Sequence, residues 1–267
     1  MMKRNLGAFY DETSDFQQAQ FNHLVSLIRK HLEVETIDSL LDIGSGTGSR
    51  TRQCLDIFPN LDHITAIEPD PDMYAQGISQ HADPKIKYLK KTAAFIQHMN
   101  MGTRHFDMVL AHWVLHWIKD KDSLFSSLER VIDKESLLVF STCERLPQIL
   151  VDLDEYVRIE LKIPPQGESP YYYLDRAEWE NLLQQNNWNI KCIEAFEVTH
   201  HVNNAEEYLE HWFTASTAKF TYNRDFAEVS ESSRKDMVSF MESKYGSDTK
   251  DGGLSFTEDV LFVIAEK

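Results

Sequence analysis

The stretch "LLDIGSGTGSRT", residues 40–51, decides how the rest of the chain is read. An apolar run carrying one carboxylate, Asp42, meets three glycines at alternate positions, Gly44, Gly46 and Gly48. The run reads as a buried strand. Glycines just past its end let another group lie against the main chain where side chains would intervene. In an open parallel sheet, that turn beyond the first strand is where ligands bind.

Outward from this stretch, short β-rich runs alternate with helical spacing. Strands are expected at 39–43, 63–68, 85–89, 106–112 and 136–142, with helical stretches such as "SRTRQCLDIF" and "LFSSLERVI" between them. That alternation predicts right-handed crossovers and a parallel sheet. Ahead of it, Phe16, Phe21, Leu24, Leu27 and Ile28 share one helical face, so a helix precedes the first strand. After Thr142 the rhythm changes to helices broken by "IPPQGESPYYYLD", a strand at 189–198, two more helical stretches and a last strand, "LSFTEDVLFVIAEK". The reading is one domain: a core of about 36–143, 189–199 and 255–267, with a helical cap from 145–186 and 203–245. Residues 244–253, "KYGSDTKDGG", read as a mobile loop.

With 43 acidic against 27 basic residues, a formal charge of −16 argues against nucleic acid and anionic membranes as partners. No apolar run approaches the roughly 20 residues that span a bilayer. The opening "MMKRNLGAFYDETSDF" lacks the apolar stretch of a secretory signal, so the cytoplasm is the expected location. Cys54, Cys143 and Cys192 show neither disulfide nor zinc spacing.

Two ligands compete for the loop. A dinucleotide fingerprint wants G-x-G-x-x-G over a pyrophosphate. Here the spacing is G-x-G-x-G, with Ser49 in place of the third glycine and Asp42 two residues before the first. A carboxylate there is poorly placed for a polyphosphate and well placed for a cation. S-adenosylmethionine (SAM) carries a sulfonium and an ammonium and no phosphate. Glu68, closing the second strand, suits the ribose hydroxyls of either nucleoside.

"LLDIGSGTG", "IEPDPDM" and "FDMVLAHWVLHWI" together resemble a class I SAM-dependent methyltransferase. The resemblance implies an α/β, Rossmann-like sheet of seven strands, mostly parallel, with the antiparallel last strand supplied by "EDVLFVIAEK". It also implies that SAM is the cofactor and S-adenosylhomocysteine the product. Asp42, Gly44, Ser45, Gly46 and Gly48 would line the methionyl part and Glu68 the ribose, with Pro69, Asp70 and Met73 flanking it. Tyr10, Ala111 and Trp113 complete the expected cofactor set. Many members place an Asp after the third strand for the adenine amino group; here Thr92 stands there, with Ala93 beside it.

His112 and His116 are four apart, but no Glu follows His112 and no third ligand is near, so "HWVLHW" is not read as a metal site. Indole faces attract a sulfonium, and indole N–H groups donate without cancelling an acceptor's charge. "LHWI" with the early "YDETSDFQQAQ" is similar to a smaller group, the juvenile hormone acid, trans-aconitate and malonyl carrier-protein methyltransferases, which esterify carboxylates. That similarity implies Gln17 and Trp117 as the grip on the acceptor, with His116 assisting. The expected acceptor is a small, partly apolar acid. Acyl carrier protein is disfavoured because the chain is acidic, although Arg145, Arg158, Lys162 and Arg176 offer a basic cluster. Tyr171, Tyr172, Tyr173, Trp179, His200, His201, Trp212, Phe213 and Phe220 are expected to wall the acceptor pocket.

Overall fold

The structure is a computed structural model that describes residues 6–100, 102, 105–165, 171–215, 222, 228–246 and 253–267. The strands are β1 Ser39–Ile43, β2 His63–Ile67, β3 Ile86–Leu89, β4 Met108–His112, β5 Leu137–Cys143, β6 Asn189–Val202 and β7 Leu254–Glu266. They form one sheet in the order β3-β2-β1-β4-β5-β7-β6, six parallel and β7 antiparallel. Strands buried on both faces of a parallel sheet need no polar alternation, and β5 is buried at every position. From β1 the chain winds to β2 and β3 on one side, then returns to β4 on the other, so the crevice opens at the carboxyl end of β1. Register places Asp42 beside Ala66 of β2 and Leu110 of β4.

Two helices, α1 Leu6–Thr13 and α2 Asp15–His31, precede β1 where the spacing predicts one. Their break at Ser14 lets α1 turn onto α4, Pro71–Gln80. On α2 the predicted face is buried: Phe21, Leu24, Leu27 and Ile28. α3, Ser49–Ile57, starts from Gly48 at φ 80°. In α4 the Asp70 carboxylate accepts from the N–H groups of Asp72 and Met73, and Pro71 fills the first turn, so "EPDPDM" is a strand end followed by a helix start.

Among the described residues the further helices are α5 Lys121–Leu128, α6 Gln148–Ile159, α7 Arg176–Gln185, α8 Ala205–Ala215 and α9 Glu231–Tyr245. The chain divides into two compact units: residues 1–144, 172–195 and 261–267, and residues 145–171 and 196–260. The first unit buries Leu41, Val109, Phe140, Trp179 and Leu261 in one core, and the second buries Leu153, Leu209, Trp212 and Met237 in its own. One expectation changes here. Segment 172–186 belongs with the sheet rather than with a cap, because Trp179, Leu182 and Leu183 form an apolar stripe on α7. The Trp179 ring lies 4.7 Å from that of Phe140. The expected loop at 244–253 falls largely outside the described residues.

Candidate functional site

The loop after β1 is built so that its main chain is committed to the protein. Gly44, Gly46 and Gly48 all have positive φ, at 72°, 57° and 80°. The Gly44 and Ser45 N–H groups donate to the Ile67 carbonyl, at 2.8 and 3.1 Å, and the Gly48 N–H donates to Ser45. A Cβ on Gly44 would stand 2.3 Å from Val114, and one on Gly48 would stand 2.3 Å from the Tyr88 hydroxyl. Gly46 differs, since a Cβ there would meet nothing within 4 Å. Its bare backbone faces open space.

Glu68 reaches across this loop. Its Oε2 accepts from the Gly46 N–H at 2.9 Å and its Oε1 from the Asp70 N–H at 2.8 Å. An amide that a pyrophosphate would take is therefore held by a carboxylate, which repels phosphate. Asp42 is buried one strand away and accepts from the Thr51 hydroxyl at 2.5 Å. Burial pushes the Asp42 carboxyl up to about 6 and that of Glu68 up to about 7. Both rises mean that each anion is desolvated beyond what its donors offset, and a cation would restore the balance.

Tyr10 of α1, Gln17 of α2, Asp42, the 44–47 loop, Arg50, Leu110 and His112 line a cavity of about 40 Å³ around Gly46. Gln17 Oε1, Ser45 Oγ and Arg50 Nε are buried there without a hydrogen-bond partner. Unsatisfied buried polar atoms are costly, so a polar ligand fits this set. The cavity is narrow because α1 is tied down. Asp11 accepts from the Thr47 hydroxyl and, at 3.0 Å, from Gln76 Nε2, and lies 3.4 Å from His81 Nε2.

Tyr10, Asp42, Gly44, Ser45 and Gly46 of the expected cofactor set meet around this cavity together with Gln17, which was expected at the acceptor, and Glu68 joins them through Gly46. Gly48 packs beneath the loop against Tyr88. Ala111 does not meet them. Side chains alternate along β4, so Leu110 and His112 face the cavity and Ala111 joins the core. Pro69 and Thr92 are exposed, and Met73 and Ala93 half-buried, at the starts of α4 and of the 3-10 helix 93–98; none of the four lines the cavity. Arg50, Thr51, Thr47 and Asp11 were not in the expected set. Arg50 Nη2 donates to the Ser14 carbonyl and hydroxyl at 2.8 and 2.9 Å, joining α2 to α3.

The segment after β4 holds the other expected residues. Trp113 stands in the left-handed region, at φ 56°, with its indole N–H buried and without a partner. His112 ends β4, whereas His116 and the half-buried Trp117 lie on the 3-10 helix Leu115–Trp117. The two imidazoles diverge: Nδ1 of His112 meets Ser141 Oγ at 2.7 Å and Nδ1 of His116 meets Thr142 Oγ1 at 3.4 Å, on successive residues of β5. Burial drives both down to about 3, so both are neutral and poor bases at neutral pH. The Tyr173 ring stacks on His116 at 5.3 Å.

Of the expected pocket aromatics, Trp179, Trp212 and Phe213 are core residues and His200 is buried against Glu258, 2.7 Å away. Tyr172 and Tyr173 line an open groove of about 520 Å³ with Lys119, Lys121 and Glu178. His201 is exposed, Tyr171 is half-buried, and Phe220 lies outside the described residues.

Residues 41–140, from the first strand through β5, match the methyltransferase domain family. This stretch is a class I SAM-dependent methyltransferase domain. Its cofactor is SAM, and the residues around Gly46 fit it: two desolvated carboxylates for a cationic nucleoside, and unpaired polar atoms for its methionyl end. Among curated relatives it is similar to malonyl-[acyl-carrier protein] O-methyltransferases. That of Halalkalibacterium halodurans is 23% identical over 65% of this chain and 65% of its own length. That of Bacillus cytotoxicus is 23% identical over 81% and 68%. The match thus spans just under two thirds of the first relative's length. Among solved structures, the YcgJ protein of Bacillus subtilis shares the fold with a TM-score of 0.61 and 12% identity, covering 92% of this chain and 98% of that one. A Haemonchus contortus phosphoethanolamine N-methyltransferase 2 bound to S-adenosylhomocysteine has a TM-score of 0.54 and 18% identity, over 98% and 60%. No helix among the described residues of this methyltransferase is long and apolar enough to cross a membrane.

Proposed function

We propose that the protein esterifies the carboxylate of a small, partly apolar organic acid. When bound, SAM supplies a methyl group on a positively charged sulfur. Asp42 and Glu68 would neutralise and orient the cationic nucleoside, Arg50 would meet its carboxylate end, and Ser45 and Gln17 would complete the polar lining.

The observation that carries the acceptor class is the state of the two imidazoles after β4. His112, half-buried, and His116, buried, are hydrogen-bonded and held near 3, so neither is a base able to deprotonate an amine or phenol at neutral pH. A carboxylate arrives already ionised and needs only placement and exclusion of water. Neutral donors suit that task, and Gln17, the Trp113 indole and the Trp117 indole are neutral donors. The names of the curated relatives point the same way, since the nucleophilic oxygen of a malonyl thioester is its free carboxylate.

Those relatives also favour a second reading, a malonyl group on acyl carrier protein as the acceptor. An acidic carrier protein wants a free basic surface. Of the four candidate cations, Arg145 pairs with Asp259 at 3.2 Å and Arg176 with Glu180 at 2.9 Å, which weakens that surface. The test is mass spectrometry with deuterated SAM, a panel of free acids and malonyl carrier protein. An alkali-labile deuteromethyl ester on a free acid supports the first reading, and one on carrier protein alone supports the second. An alkali-stable methyl product overturns both. Tight SAM binding with no transfer to anything would leave a SAM-binding protein without turnover.

A further inference from the structure

At the C-terminal end of α2, away from the glycine loop, a second cluster of metal-ligating side chains forms. His31 closes α2, and Cys192 and Glu194 sit two apart on β6, so both project from the same face of the strand. Their ligand atoms all lie within 4.8 Å of one another. A sequence gap of about 160 residues hides this group from any spacing motif, which is why the cysteine count alone says nothing of it.

We propose that His31, Cys192 and Glu194 bind a zinc ion, with water as its fourth ligand. Imidazole nitrogen, thiolate sulfur and carboxylate oxygen form a mixed donor set that suits zinc and does not suit magnesium or calcium, which take oxygen alone. Two observations show that the protein leaves this set unfinished. The His31 Nε2 is buried without a hydrogen-bond partner, a state that a metal resolves. Among the described residues the Cys192 thiol, 6% exposed, has only the Glu194 carboxylate as acceptor, at 3.6 Å.

Metal–ligand bonds of about 2.0–2.3 Å in a tetrahedron put ligand atoms roughly 3.5 Å apart, so the three must draw inward by about 1 Å, within reach of side-chain rotation. Binding balances as Zn²⁺ plus the thiol giving the zinc thiolate plus one proton released to solvent. Thiolate and carboxylate then cancel the ion's charge. Lys30 Nζ, 3.9 Å from Glu194 Oε1, is the one opposing charge in the described contacts of the cluster; its side chain is 65% exposed and free to swing away. Both α2 and this part of β6 belong to the first unit, so the ion would staple the helix that carries Gln17 to the sheet.

The test is titration of the metal-free full-length protein with Zn²⁺ by calorimetry, and with Co²⁺ by absorption. Expected are one ion per chain, affinity that rises with pH as the proton is released, and a thiolate-to-cobalt charge-transfer band. Cys192→Ser should abolish that band and weaken zinc at least about tenfold, while Lys30→Gln should tighten it. Should Cys192→Ser not fold, His31→Gln and Glu194→Gln, at half-exposed positions, give the same readout through zinc affinity. Failure of the wild type to bind one zinc, or binding unchanged by Cys192→Ser and His31→Gln, overturns the proposal. SAM affinity, measured alongside, reports the cofactor site independently.

Discussion

Asp42 holds a carboxylate at the mouth of β1, sealed from water, with the Thr51 hydroxyl as its donor. Its folded pKa, about 6, lies above the unfolded value, so between those values the folded state holds the proton more tightly and stability falls as pH rises. At pH 8 the ionised group opposes folding by on the order of 2–3 kcal/mol. Asp42→Asn should therefore raise the melting temperature of the SAM-free protein by about 5 °C at pH 8 while weakening SAM at least about tenfold. Calorimetry and thermal melts check both halves, and a lowered melting temperature would refute the electrostatic account. For the same reason SAM affinity should drop between pH 8 and pH 5, by up to about tenfold per pH unit below each carboxyl's pKa. Much of this site was legible, because glycines and carboxylates at strand ends are local signals. Arg50 and Thr51 were not: they belong to the first turns of α3, and only the packed helix points them back at β1 and α2. Ala111 illustrates another limit, since a shift of one residue along β4 exchanges the cavity face for the core.

Among the elements, α1 covers one side of the cavity beside Gly46. Its link through Asp11 to Thr47, Gln76 and His81 leaves about 40 Å³ beside Gly46, far below the several hundred Å³ that a bound small molecule fills. SAM should therefore enter by a lift of α1. In Asp11→Ala, hydrogen exchange over residues 6–13 should quicken by at least about tenfold and SAM should dissociate faster, with the sheet amides unchanged. Equal exchange in both proteins would show that α1 is not held by this latch. α7 has the opposite character. Trp179 is 1% exposed against Phe140, and Trp179→Ala should cost about 3–5 kcal/mol, read as a lower urea midpoint at unchanged slope. The strands were legible to within a few residues because parallel strands are written as short apolar runs. The break at Ser14 and the attachment of α7 to the sheet were not, since each depends on which apolar stripe a helix finds as its partner.

Across the whole molecule, buried imidazoles set the response to acid. His112, His116 and His211 are pushed by burial to about 3, 3 and 4, so the unfolded chain binds more protons than the folded one below pH 6.5. Asp42 and Glu68 act in the opposite sense and offset part of this. The SAM-free protein should have a stability plateau near pH 7 and lose about 1–2 kcal/mol per pH unit between pH 6 and pH 4, measured by urea unfolding at each pH. A flat profile would mean that the imidazoles are not buried neutral. The order of the sheet has a consequence for synthesis as well. β7, the last strand in the chain, lies between β5 and β6, and its Leu261–Ala265 stretch is fully buried. A nascent chain leaving the ribosome therefore carries six strands, two of them with open neighbouring edges, until residues 254–266 emerge to fill the gap. Strands open in this way invite pairing with other chains, so stalled or shortened translation products should aggregate rather than persist as a slightly smaller enzyme.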